Sequence, residues 1–266
     1  MSLRNQNCLP GAPSWVSLIT GDLDAATGFY GELLGWEFEE GPAMERWGPY
    51  LRAHVCGVPV AGLGAAARDV EMPVSWTTYF GVTDADTCAS AVRERGGTVA
   101  VGPLTLGVGR LALAADPMGA GFGLWECEEG EGWATRRPLD GAPTWLELRT
   151  RDAFDAALFY GGVFGWDRAA QDLYDVRYEE DRVVLAVDGR DMAGMYGGAV
   201  EAAADPQVRP RWNVHFQVSD VDAAASRAKE LGGAVITEPT DLSYGRTAGL
   251  RDTEGALFHL IGPKGD

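Results

Sequence analysis

The chain repeats itself. Residues 11–36 (GAPSWVSLITGDLDAATGFYGELLGW) and 141–166 (GAPTWLELRTRDAFDAALFYGGVFGW) share thirteen of 26 positions at a constant offset of 130. A second stretch repeats at offset 136, matching Trp76/Trp212, Phe80/Phe216, Asp84/Asp220, Gly109-Arg110/Gly245-Arg246, Asp116/Asp252 and Phe122/Phe258. Self-similarity at a fixed period constrains architecture before any local pattern does. In 266 residues it predicts two domains, each near the ordinary domain size and long enough to bury a core of its own. It also lets the halves be compared position by position.

Each half contains a smaller grammar. A β-rich run at Trp15–Thr20 precedes a helix signature over Asp22–Leu34. Leu23, Ala26, Phe29, Tyr30, Leu33 and Leu34 share one face of that helix, Asp22 is a candidate N-cap and Gly35 a natural terminator. Strand-like stretches follow at 36–39, 50–55 and 58–63. From Trp76 the order restarts, with a helix over Asp84–Arg95 and strands at 98–101, 110–115 and 121–125. The β-α-β-β-β unit occurs four times, at about 13–65, 74–126, 143–197 and 210–262. Polar, Gly- or Pro-rich stretches at 65–73 and 199–210 separate units, and Cys127–Gly141 reads as the domain linker. Residues 1–10 read as a loose leader outside the fold. The expected fold is α+β, with domains at 11–127 and 141–263. One unit cannot cover both faces of its short sheet. Two together bury one face under helices and curve the other into a cavity. Which units pair, one with two and three with four, or one with four and two with three, stays open.

The net charge of −17 would repel a phosphate backbone, so nucleic acid is not an expected partner. Four cysteines at wide spacing, with no CxxC, give no zinc ribbon or dithiol motif and suit a reducing compartment. No apolar run reaches membrane-spanning length. The expectation is a cytoplasmic protein whose partner is a small molecule, without membrane association. Homodimerisation stays open.

The run DLDAATGFYGELLGW at Asp22–Trp36, joined to a closing DPMGAGFGLW at Asp116–Trp125, resembles the vicinal oxygen chelate superfamily. That superfamily includes glyoxalase I, bleomycin-resistance proteins and extradiol dioxygenases. The resemblance covers nearly all of residues 11–262 in four modules, and the tandem form is similar to an actinobacterial glyoxalase-like group. It implies two tandem glyoxalase-like domains. It leaves open metal-dependent lyases or dioxygenases, metal-free binders and proteins that sequester an antibiotic.

Metal-bearing members place a His, Gln or Glu on the first strand of each module, seven residues before the Asp of the helix start, and a second ligand on the last strand. Carried over, these positions are Trp15 and Ala61, Thr77 and Gly123, Trp145 and Ala193, and Asn213 and His259. Trp, Ala and Gly offer no donor, and one imidazole beside an amide is too little for a specific divalent site. The reading is therefore no metal and no cofactor.

If the ligand positions face the cavity, so do residues two and four further along each strand. The first half then presents Trp15, Ser17, Ile19, Thr77, Tyr79, Gly81, Gly123 and Trp125, an aromatic and uncharged face suited to a flat ring. The second presents Trp145, Glu147, Arg149, Asn213, His215, Gln217 and His259. Polar groups of this kind either satisfy one another, as in a Glu147–Arg149–His215 network, or meet a polar ligand. Glu147 or His215 could act as a general base, and Arg149 could anchor a carboxylate. A shifted metal triad of Glu147, His215 and His259 is a further alternative. Arg110 and Arg246 recur in both halves and read as architectural; His54 reads as structural or surface-exposed.

Overall fold

The computed structural model describes residues 9–41, 48–65, 73–106, 109–127, 139–166, 173–199 and 209–265. Module one comprises β1 (Pro13–Ile19), α1 (Leu23–Leu34), β2 (Glu37–Glu40), β3 (Tyr50–Val55) and β4 (Val58–Gly64). Module two comprises β5 (Ser75–Gly81), α2 (Ala85–Glu94), β6 (Thr98–Leu106), β7 (Gly109–Ala115) and β8 (Gly121–Cys127). Module three is β9 (Pro143–Arg149), α3 (Ala153–Phe164), β10 (Tyr174–Glu179), β11 (Arg182–Val187) and β12 (Arg190–Tyr196). Module four is β13 (Arg211–Gln217), α4 (Val221–Glu230), β14 (Ala234–Leu242), β15 (Gly245–Arg251) and β16 (Leu257–Gly262). All four expected β-α-β-β-β units are present. Most of the expected leader, of the expected linker and of the two separating stretches lies outside the described residues.

Local chemistry sets the helix ends. Asp22, Asp84, Asp152 and Asp220 sit in extended backbone and accept from N–H groups of the first turns, which satisfies donors no helix can satisfy internally. Gly35 and Gly165 end α1 and α3 in the left-handed region, at φ of 68° and 70°. Arg110 and Arg246 hold the strand ends to the helices: Arg110 Nη2 lies 2.7 Å from Asp86, and Arg246 Nη2 lies 2.8 Å from Asp222.

Hydrogen bonding orders the strands into two eight-stranded sheets, β2-β3-β4-β1-β5-β8-β7-β6 and β10-β11-β12-β9-β13-β16-β15-β14. Compact packing instead groups module two with three and module one with four. One unit comprises Met1–Trp15, Thr78–Arg136 and Trp145–Trp212, and the other Val16–Thr77, Arg137–Thr144 and Asn213–Asp266.

The first unit centres on a cluster of Phe80, Phe122, Tyr160, Phe164 and Trp212. Tyr160 is fully buried; its hydroxyl donates to Asp116 Oδ2 at 3.0 Å and accepts from Trp212 Nε1 at 3.0 Å. Asp116 Oδ1 also takes the N–H groups of Met118 and Ala120, each at 2.9 Å. Trp166 Nε1 donates to the Gly11 carbonyl at 2.8 Å. The second unit repeats this chemistry: Trp76 Nε1 to Tyr30, Tyr30 to Asp252 at 2.9 Å, and Trp36 Nε1 to the Gly141 carbonyl at 2.7 Å. Burial raises the Asp116 and Asp252 carboxyls above their ordinary range despite these donors, and raises both tyrosines well above theirs. The repeated Tyr, Asp and Trp residues therefore serve an internal polar relay.

Candidate ligand-binding faces

Strand register decides which side chains share the face turned away from each aromatic core. Four parallel pairs are equivalent in the four modules: Ser17 opposite Gly62, Tyr79 opposite Gly123, Glu147 opposite Gly194, and His215 opposite His259. The adjacent residues, such as Leu18 with Leu63 and Leu146 with Ala193, point into the cores and are fully buried. This corrects the last-strand positions assigned to modules one and three. They are Gly62 and Gly194, one residue beyond Ala61 and Ala193. A shift of one residue turns a side chain to the opposite face. Modules one and three lack the Phe-x-Leu motif that anchors the count in modules two and four.

Three of the four last-strand positions are glycine, and each lies under an aromatic ring. A Cβ on Gly123 would enter the Tyr79 ring, and one on Gly62 would meet the end of Tyr50. A Cβ on Gly194 would come within 2.7 Å of Trp145 and 2.8 Å of Tyr196. The covering tyrosines come from opposite strands of equivalent ladder pairs, Tyr50 with Gly64 in module one and Arg182 with Tyr196 in module three.

In the first unit, Trp145 and Glu147 are buried and Arg149 is half-exposed. Arg149 Nε donates to Glu147 Oε1 at 2.7 Å, so the carboxylate buried on this strand has a charged partner. The Arg149 guanidinium also lies 5.3 Å from the centre of the Tyr196 ring, within cation–π range. Arg182 approaches the same ring at 5.8 Å and donates to the Tyr196 hydroxyl at 3.1 Å. The sequence reading missed Arg182 and Tyr196. The offset between modules one and three changes from 130 in the helix to 132 in the later strands, so the internal alignment was lost before it reached them. Trp15 and Trp125 are half-buried, and Tyr79 is buried over Gly123.

In the second unit, His215 and His259 stack with ring centres 4.5 Å apart and planes 22° apart, with Tyr244 at 6.3 Å from His215. Ser17 and Asn213 are buried, Thr77 is half-buried, and Gln217 donates to the Val218 carbonyl at 3.3 Å. His54 lies on β3, 3.9 Å from Glu39.

The superfamily resemblance implies a divalent ion in some members, and this donor set does not fit one. Gly62, Gly123 and Gly194 supply no ligand atom, and rings occupy the space a donor side chain would fill. The fourth position holds an imidazole stacked face to face on another. Stacked rings do not aim two nitrogen lone pairs at one point. Among the described residues no three His, Cys, Asp or Glu side chains gather as a metal site, the Glu147, His215 and His259 triad included.

Comparison with known proteins agrees with the fold. Residues 145–261 match a model for a glyoxalase-like domain, and residues 14–47 match one for a bleomycin resistance protein-like N-terminal region. The chain is 35% identical over 257 residues to CFP32 of Mycobacterium tuberculosis, a provisionally named glyoxylase, covering 95% of both chains. It is 35% identical over 268 residues to the anthracycline biosynthesis protein DnrV of Streptomyces peucetius, covering 95% of this chain and 93% of that one. The Mn(II)-bound glyoxalase of Novosphingobium aromaticivorans superposes with a TM-score of 0.61 at 18% identity, over 94% of this chain and 81% of that one. The 2,3-dioxygenase LapB of Pseudomonas sp. KL28 does so at 0.60 and 13%, over 98% and 94%.

Proposed function

The chain belongs to the vicinal oxygen chelate superfamily as a tandem glyoxalase-like member, and from that premise we propose that it binds a small, partly aromatic metabolite without a metal. The observation that carries this reading is that Gly62, Gly123 and Gly194 each lie under an aromatic ring, of Tyr50, of Tyr79, and of Trp145 and Tyr196. Where the resemblance places ion ligands, this chain offers ring faces, and ring faces bind flat organic groups by stacking and area burial. The polar residues then fix orientation. Arg149 and Arg182 flank one tyrosine ring, and Asn213, His215, Gln217 and His259 supply hydrogen-bonding groups on their own strands. The name of the relative DnrV points the same way, because anthracyclines are built on flat fused rings.

Calorimetric titration with 1,4-dihydroxyanthraquinone, a flat hydroxylated ring system, tests the proposal. Trp145→Ala should weaken binding about tenfold, as expected for losing one stacking surface. Unchanged affinity in that variant, or no binding to wild type, would remove the reading. The rival reading makes Glu147 or His215 a general acid or base. In that case Glu147→Gln would lower turnover on the order of 100-fold while affinity survives; in the binding reading there is no turnover to lose.

The proposal extends to location. Among the described residues no helix is long and apolar enough to cross a membrane. Cys56 and Cys88 are free thiols, and burial pushes Cys88 up to about 11, so it holds little thiolate. These features suit a reducing cytoplasm, with neither nucleic acid nor membrane as partner at a net charge of −17.

A further inference from the structure

The internal repeat exposes a second site, independent of the sheet faces. In the unit containing module one, Glu254 turns its carboxylate onto the entrance of α1. It takes the Thr20 hydroxyl and the N–H groups of Gly21 and Asp22, the latter two at 3.1 and 3.3 Å. The equivalent entrance, at α3, consists of Thr150, Arg151 and Asp152, and the residue equivalent to Glu254 is Met118, which has no carboxylate. Thr150 is fully buried and lines a cavity of about 420 Å³, and among the described residues its hydroxyl has no hydrogen-bond partner. Among the described residues the Arg151 and Asp152 N–H groups also have no acceptor.

The neighbouring substitutions change the charge in the same direction. Gly21 becomes Arg151, Leu231 becomes Arg95, and both arginines line the cavity. Asp155, in place of Ala25, is the one acidic gain there. Asp152 has an equivalent, Asp22, beside the filled site, and its Oδ1 is taken by the N–H groups of Phe154 and Asp155. The cavity wall is also apolar: Met118, Phe159 and Leu158 line it, and Leu158 is 60% exposed where the repeat has Gly28.

We propose that this cavity binds an external organic carboxylate, whose head group takes the place that the Glu254 side chain holds in the other unit and whose apolar body rests on Met118, Leu158 and Phe159. The hydroxyl, two backbone donors and the helix N-terminus form an acceptor-seeking pocket, and the twin unit shows that a carboxylate satisfies it.

Fluorine NMR titration of the full chain with 4-fluorophenylacetate tests this, with 2-(4-fluorophenyl)ethanol as the neutral analogue. The acid should bind and the alcohol should bind at least about tenfold more weakly, the loss of a charge-assisted head group. Met118→Glu should supply a tethered carboxylate and weaken the acid at least about tenfold. Arg151→Gly, which restores the repeat's own residue, should weaken it about two- to fivefold, the effect of one exposed charge, and serves if Met118→Glu fails to fold. Equal binding of acid and alcohol, no binding of the acid up to about 10 mM, or affinity unchanged in the variants would each overturn the proposal. None of these results bears on the anthraquinone titration.

Discussion

Replacing Tyr160 with Phe should lower the unfolding free energy by about 2–4 kcal/mol, one of the largest effects of removing a single atom in this chain. The ring fits unchanged, so packing is preserved. What is lost is the hydroxyl that joins Trp212 Nε1 to Asp116. Both partners are buried, so each is left with an unsatisfied group inside the core, and such groups cost more than an average hydrogen bond contributes. The Asp116 carboxyl loses one of the contacts that offset its burial, and would rise further above its ordinary range. Tyr30→Phe should behave alike in the other unit, through Trp76 and Asp252. The control is Tyr178→Phe, since Tyr178 is 67% exposed and should be neutral. Urea unfolding monitored at constant m reads all three. A Tyr160→Phe midpoint equal to that of Tyr178→Phe would mean the relay contributes nothing.

The second large effect is Gly123→Ala. The added methyl would enter the Tyr79 ring, close to its root, where the ring cannot swing aside as a flexible tip can. Tyr79 is buried, so the ring or the strand must shift, at a cost of about 1–3 kcal/mol or more. Gly62→Ala meets the hydroxyl end of Tyr50, which can move, and should cost less. Gly28→Ala should do the reverse and stabilise by about 0.5–1 kcal/mol. Gly28 lies in α1 with nothing within 4 Å of the added carbon, and Ala is the better helix former. Thermal unfolding of the three variants would order them Gly123→Ala, Gly62→Ala, Gly28→Ala from least to most stable. A neutral Gly123→Ala would show that the glycine is not a seat for the ring.

The fold was legible because its signals are periodic and local. Four aspartate caps, the glycines after α1 and α3, and a repeated core pattern each name an element and its end. The site was only partly legible. Glu147, Arg149 and His215 follow from alternation along one strand, which needs no knowledge of its neighbours, and His259 follows from the closing-strand motif. The pairing of Glu147 with Arg149 followed from the same strand. Ala61 and Ala193 were one residue off because register is a relation between strands, and no motif in modules one and three anchors it. Arg182 and Tyr196 were missed because they reach the site across a ladder, beyond the point where the repeat loses its offset. The role of Tyr30, Asp252 and Trp76 was invisible as well. The sequence shows that they recur, but only the packing of module four and of the start of β5 against α1 shows that they touch.

Native mass spectrometry of the chain purified without chelator, alongside metal analysis, tests most directly whether ring-covered glycines have replaced ion ligands. The account predicts an organic adduct of a few hundred daltons on the order of a small pocket ligand, with transition metal far below one equivalent per chain. One equivalent of Mn, Fe, Ni or Zn that survives dialysis and disappears in His259→Ala would contradict it.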